Sequence, residues 1–314
     1  MRKLLYAVLL AAAGCANIPV DNLQEARRYQ LGKESVFSMG KKSCTFNVLF
    51  NKKYEPISKQ TKQKDLETIM KTLDYTLRRH TEDLTSEEDQ FTEYFNMLKR
   101  ITKSNPDIEF DIISDKGINY LLLRLGDWDA IYYAPAILIK QKSLNPFTLA
   151  HEFCHATDKH YSKLDYVFSK AHRCRMEAVA IAGEQHIADY FSIVYETCEL
   201  ADKFWDKASL SIDDLRFLYQ RRKTFEEVFN NESRNKVATL MTHILLDKFK
   251  GNLERTYFFL RENDCETVYK QIYAHIRHKN YYTAALNAVS DQQARLDLRA
   301  FTYIKNKHRK INLK

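Results

Sequence analysis

Apolar residues recur at helical spacing over most of this chain and alternate along only a few short stretches. Leu66, Ile69, Met70, Leu73 and Leu77 share one face of a helix over Lys64 to Arg79, and a second helix is predicted over Ser86 to Ile101, ended by Asn105-Pro106. Cys44 to Phe50 alternates and predicts a short strand. Ile108 to Ile113, Ile118 to Leu123 and Ala130 to Lys140 are further extended segments, with Asp115-Lys116-Gly117 as a turn between the first two. Asn145 is a favourable N-cap with Pro146 at the first helical position, which predicts a helix running through His155 to about Lys159. A long helix is predicted from Arg173 to Trp205, with small apolar residues over 178–182 where a neighbour can pack closely. Helical spacing then continues over Asp213 to Phe229, Arg234 to Phe249, Leu253 to Glu262, Glu266 to His278, Tyr281 to Val289 and Gln292 to Ile304.

Composition narrows this picture. The chain has 314 residues but only seven glycines and five prolines, too few for a loop-rich sandwich or barrel. No repeat period stands out, so a solenoid is not expected. The fold class is therefore α+β, mostly helical: a small antiparallel sheet, the helix holding His151 to His155, a second long helix, and a C-terminal helical bundle. The net charge of +8 is concentrated in Lys52 to Lys64 and Lys305 to Lys314. No nucleic-acid motif accompanies it, so it reads as a solvated basic surface and no nucleic-acid partner is expected. A P-loop, a dinucleotide-binding glycine pattern and a nucleophile elbow are all absent from the sequence.

The candidate chemistry lies at His151-Glu152-Phe153-Cys154-His155. Histidines four residues apart on a helix project from one face, one turn apart, so both imidazoles can reach one metal ion. Glu152 is rotated by about 100° from His151, beside the ion rather than on it, where a base must stand to accept a proton from water that a metal activates. Phe147, Leu149, Ala150, Phe153 and Ala156 make the rest of the helix apolar. Three polar groups buried in such a helix need partners, and a metal is the natural one. Cys154 lies between the histidines; a buried apolar role, a zinc thiolate and a disulfide to Cys174 or Cys198 are its alternatives. His172, His186, His243, His275 and His278 are scattered on helical segments as structural or exposed residues.

Thr148-Leu149-Ala150-His151-Glu152-Phe153-Cys154-His155-Ala156 resembles the active-site helix of zincin metallopeptidases, and the resemblance spans roughly Ile108 to Phe191. It implies a Zn2+ cofactor, Glu152 as catalytic base, and a peptide or protein substrate that pairs with an edge strand, here Ala130 to Lys140, with Tyr132 and Tyr133 lining the cleft. In the glutamate-zincin branch a Glu on the following helix is the third ligand. Glu177, 22 positions after His155, matches it, so the implied metal set is His151, His155 and Glu177, with Glu184, His160 and Asp158 as alternatives to Glu177. The metzincin extension fails, since Asp158 and Tyr161 stand where Gly and His belong. The thermolysin-like Asp is replaced by Ile181, so another residue, Asp158 among them, must orient a histidine. Several Tyr, His and Arg residues downstream qualify for stabilising an oxyanion.

Met1-Arg2-Lys3, the apolar run Leu4 to Leu10 and Ala11-Ala12-Ala13-Gly14-Cys15 are similar to a bacterial lipoprotein signal, which implies acylation of Cys15. Cleavage after Ala13 or Ala16 without lipidation is the alternative. The expected organisation is a signal over residues 1–15, a polar tether over 16–40, a catalytic domain over 41–205 and a helical region over 206–314 packed on it. Ala16 after the cysteine resembles the pattern of outer-membrane lipoproteins, so the expected location is the periplasmic face of that membrane, held by the N-terminal lipid. Such a space is oxidising, and Cys44, Cys154, Cys174, Cys198 and Cys265 remain to be paired or left free. A zinc peptidase of the cell envelope is the leading expectation. A non-catalytic envelope scaffold with a structural metal site and a cell-wall amidase are its rivals.

Overall fold

The computed structural model describes residues 35–39, 42–50, 57–79, 89–113, 129–198 and 225–277. Strands β1 (Ser35–Met39) and β2 (Lys42–Phe50) precede helices α1 (Lys59–Arg79) and α2 (Asp89–Ile101). Then come β3 (Glu109–Ile113), β4 (Ala130–Tyr133), β5 (Ala136–Lys140) and helices α3 (Pro146–Ala156), α4 (Lys163–Phe168) and α5 (Lys170–Tyr190). Strand β6 (Phe191–Cys198) follows α5 directly, and α6 (Phe225–Asn231), α7 (Arg234–Lys248), α8 (Leu253–Glu262) and α9 (Cys265–Ile276) complete the described chain. The fold is α+β and mostly helical.

Helix α5 is the hub. From Met176 to Gly183 its residues are small or apolar apart from Glu177, and nearly all are fully buried. A helix apolar on every side has to be surrounded, and α5 packs against α3, α4, α7, α8 and α9. Gly183 makes the closest approach possible: a Cβ there would collide with Cys154 of α3 and press on Tyr257 of α8. Leu66, Ile69 and Leu73 of α1 join the same core. An aromatic cluster of Phe91 and Phe95 from α2, Phe110 from β3 and Phe153 from α3 closes one side of it, with ring centroids 5.0–6.1 Å apart.

The described strands form two three-stranded sheets, β1-β2-β6 and β3-β5-β4. The second is mixed rather than antiparallel, because β3 pairs with β5 in parallel. Ala130 to Lys140, expected as one strand, is a β4–β5 hairpin folded at Ala134-Pro135. Proline cannot donate to a ladder, which ends β4 there. The helix expected to reach Trp205 stops at Tyr190. Phe191-Ser-Ile-Val-Tyr-Glu-Thr-Cys198 is rich in β-branched and aromatic residues and pairs with β2 instead. The segment expected as a tether ends in β1. The turn at Asp115 to Gly117, the strand at Ile118 to Leu123, the signal with Cys15, and the helices after 278 lie outside the described residues.

Candidate metal centre

Local sequence sets α3 in place. The Asn145 side chain accepts a hydrogen bond from the Thr148 N–H at 2.8 Å, capping the helix, and Pro146 occupies its first turn where no N–H is needed. The Tyr94 hydroxyl donates to the Pro146 carbonyl at 2.5 Å and ties this end to α2. One turn apart at the other end, the His151 and His155 rings stand with centroids 5.1 Å apart. Helix α5 crosses beside them and delivers Glu177: its Oε2 is 3.6 Å from His151 Nε2 and 3.9 Å from His155 Nε2. Donor atoms of these three residues all lie within 4.8 Å of one another.

Whether these residues suit a cation can be judged from distance and charge. Two donors bound at about 2.0–2.1 Å to one tetrahedral ion stand about 3.3 Å apart, and the observed spacings are only slightly wider. They are too long for good hydrogen bonds, so the three side chains surround a point rather than bond one another. Glu152, Glu177 and Glu184 are all buried here, while among the described residues Arg234 is the one guanidinium lining the cleft. Carboxylates outnumber the guanidinium, so the cleft favours added positive charge, carried either by a protonated His151 or by a cation. The His155 Nδ1 is buried with no hydrogen-bond partner among the described residues.

The titration of these groups follows the same crowding. Burial pushes the Glu152 carboxyl up to about 7, although His151 and the Tyr132 backbone N–H oppose it. For Glu177 burial is outweighed by the His151 and His155 imidazoles, and its pKa falls to about 2. Burial disfavours a charged His151, yet the carboxylates of Glu177 and Glu184 on its two sides raise it well above the usual histidine value. His155 moves the other way, down to about 4, because burial dominates.

Each expected residue has a definite place. His151, His155 and Glu177 converge, and Glu152 lines the same cleft without being one of the three donors. Glu184 is not among these three donors. It sits behind His151, 3.2 Å from Nδ1, where it fixes the ring and its tautomer. Asp158, one candidate for that role, instead grips Arg175 through both oxygens at 2.7 and 2.6 Å. Arg175 also donates to the carbonyls of Leu260 and Asn263, so this pair locks the end of α3 to α5 and α8. His160 reaches away to the Glu262 carbonyl. Cys154 is a free, fully buried thiol packed toward Gly183 and Tyr257, with no disulfide to Cys174 and no place among the donors.

The cleft walls contain residues that sequence reading left unassigned. Tyr161, Tyr166, Arg234 and Asn235 line it together with Ala130, Ile131 and Tyr132. The Tyr166 hydroxyl donates to Glu177 Oε1 at 3.0 Å and Arg234 stands 3.8 Å from the same atom. Among the described residues β4 is one of the two edge strands of the mixed sheet, and the pleat turns Tyr132 inward and leaves Tyr133 more than half exposed. Tyr132 uses both outward backbone groups: its N–H serves Glu152, and its carbonyl accepts from the Tyr161 hydroxyl at 2.9 Å. A histidine-rich motif signals a site on its own helix. Nothing local signals an arginine 82 positions after Glu152; only the packing of α7 on α5 brings Arg234 there.

Among the described residues no helix is long and apolar enough to cross a membrane. Comparison with known protein families, with curated proteins and with solved structures finds no match to this chain.

Proposed function

We propose that this chain is a zinc-dependent peptidase of the bacterial cell envelope, with His151, His155 and Glu177 as metal ligands and Glu152 as the catalytic base. The observation that carries the reading is the convergence of those three donors within 4.8 Å beside a buried carboxylate that is not one of them. A structural site has no use for that fourth group. Two imidazoles and one carboxylate suit zinc, which when bound would act as a Lewis acid toward a water and a scissile carbonyl.

The chain's own residues supply the rest. Glu152 takes the proton of the attacking water and passes it to the leaving amine, a transfer that works best for a base whose pKa lies near the working pH. Tyr132 holds that carboxylate through its backbone N–H. Glu184 keeps the His151 ring turned toward the site. Arg234 is the donor in the cleft wall for charge that develops on the carbonyl oxygen, since the Tyr161 and Tyr166 hydroxyl protons are committed to the Tyr132 carbonyl and to Glu177. An extended peptide lies along β4 and pairs with the outward backbone groups that Tyr132 leaves free. The N-terminal lipid on Cys15 belongs to the same proposal, as does placement at the outer membrane.

Metal analysis of the purified full chain, beside His151→Ala and Glu152→Gln, tests this reading. About one zinc per chain is expected, as in a catalytic site, with loss from His151→Ala and retention by Glu152→Gln. Turnover of a fluorogenic peptide library by Glu152→Gln is expected to fall by about 10²–10⁴-fold. Equal turnover by that variant rejects the mechanism.

A further inference from the structure

The cysteines pose a question that the metal centre does not answer. Beyond Cys15, the chain has five. Cys154, Cys174 and Cys265 are buried free thiols on α3, α5 and α9. The other two, Cys44 and Cys198, lie on β2 and β6. Those strands pair antiparallel, and their register sets Cys44 opposite Cys198, with Thr45 opposite Thr197 beside them. Directly opposite residues of antiparallel strands share a face of the sheet, with Cα atoms about 4.5–5.5 Å apart. That separation falls inside the span of about 4.4–6.8 Å that a disulfide bridges.

We propose that Cys44 and Cys198 form a cross-strand disulfide that staples the N-terminal strands to the end of the metal-ligand helix. Position gives the bond its consequence. Strand β6 leaves α5 with no intervening residue, Tyr190 being followed at once by Phe191. The closed loop from 44 to 198 contains His151, Glu152, His155 and Glu177, so the whole centre lies inside one covalent ring. In its formation the two thiols lose two protons and two electrons as the sulfur–sulfur bond forms. A dithiol–disulfide oxidant accepts them by exchange and leaves as two thiols, glutathione disulfide serving in vitro.

Peptide mapping tests it independently of any activity. The full chain is incubated with glutathione disulfide, denatured in iodoacetamide and digested with trypsin. The expected product is the peptide Ser43 to Lys52 linked to Met176 to Lys203, with Cys154, Cys174 and Cys265 alkylated. Recovery of Cys44 and Cys198 as alkylated peptides, or of either linked to another cysteine, overturns the proposal. Thermal melting gives a second readout. Cys44→Ser, Cys198→Ser and the double variant are each expected to lower Tm by the same amount, about 5–15 °C for a bond closing so large a loop. A reductant should lower wild type equally and leave the double variant unmoved. Unequal single variants, or a double variant as sensitive to reductant as wild type, would refute the pairing.

Discussion

Two buried ionic clusters hang from the same helix, and they are built in opposite ways. Arg175 and Glu177 stand two residues apart on α5, so they face different sides of it. Arg175 meets Asp158 through two short bonds and passes its remaining contacts to the Leu260 and Asn263 carbonyls, leaving only its Nε without a partner among the described residues. Both side chains are fully out of solvent and their charges cancel. Glu177 accepts one hydrogen bond from Tyr166 and meets two imidazoles and the Arg234 guanidinium only at 3.6–3.9 Å, with the carboxylate of Glu152 in the same cleft. A closed ion pair holds helices together. An open one, kept open by a rigid scaffold, is a place for a ligand.

The largest effect that separates the two is expected from Asp158→Ala. Removing one member of a fully buried pair strands the other charge and costs about 3–5 kcal/mol, read as a lower urea midpoint with or without added metal. Glu177→Gln is the counterpart. In metal-free protein it loses the attraction of the imidazoles that holds the Glu177 pKa down, so the urea midpoint should fall, but by less than for Asp158→Ala because no fully buried guanidinium is left stranded. A further penalty should emerge when zinc is present, as stabilisation by the ion that wild type gains and the variant does not. If metal-free Glu177→Gln unfolds as readily as Asp158→Ala, the two clusters are the same kind of object and the comparison fails.

Glu184→Gln sharpens the contrast within the open cluster. A carboxylate behind a ligating imidazole typically contributes 10–100-fold in metal affinity, about 1.4–2.8 kcal/mol. The amide keeps the shape and loses the charge, so zinc affinity measured by chelator competition should drop within that range while the stoichiometry stays at one. Loss of stoichiometric binding would instead make Glu184 a ligand.

These assignments also show where the sequence is informative. The α3 helix was legible because its cap, its proline and its paired histidines are local signals, and Glu177 followed from a family resemblance at a fixed offset. Glu184 was visible only as a second acid on the same helix, because which side of His151 it occupies depends on how α5 crosses α3. Asp158 was misread for a related reason: its partner Arg175 is 17 residues away and reaches it only after the chain reverses. The end of α5 was invisible because no glycine or proline separates Tyr190 from Phe191, and the pairing of β6 with β2 joins residues more than 140 apart. Local pattern fixes elements; the contacts that turn elements into a site are long-range.

The smallest effect concerns the cap that aims the motif. Asn145 is buried and spends its carbonyl oxygen on the Thr148 N–H, while its amide donates to Thr148 Oγ1 at 2.7 Å and the Ser143 carbonyl at 3.2 Å. Asn145→Ala removes all of these at the start of the helix whose other end carries His151 and His155. Loss of a cap costs about 1 kcal/mol, within a span of roughly 0.5–2. The global urea midpoint should therefore fall modestly. Because the fraying is confined to the first turn, amide exchange should quicken at Phe147 to Leu149 and remain slow at Phe153 to His155, with zinc affinity nearly unchanged. Exchange that quickens along the entire helix would mean that the cap, rather than the packing of Phe153 and Cys154 against α2 and α5, is what keeps the two imidazoles in place.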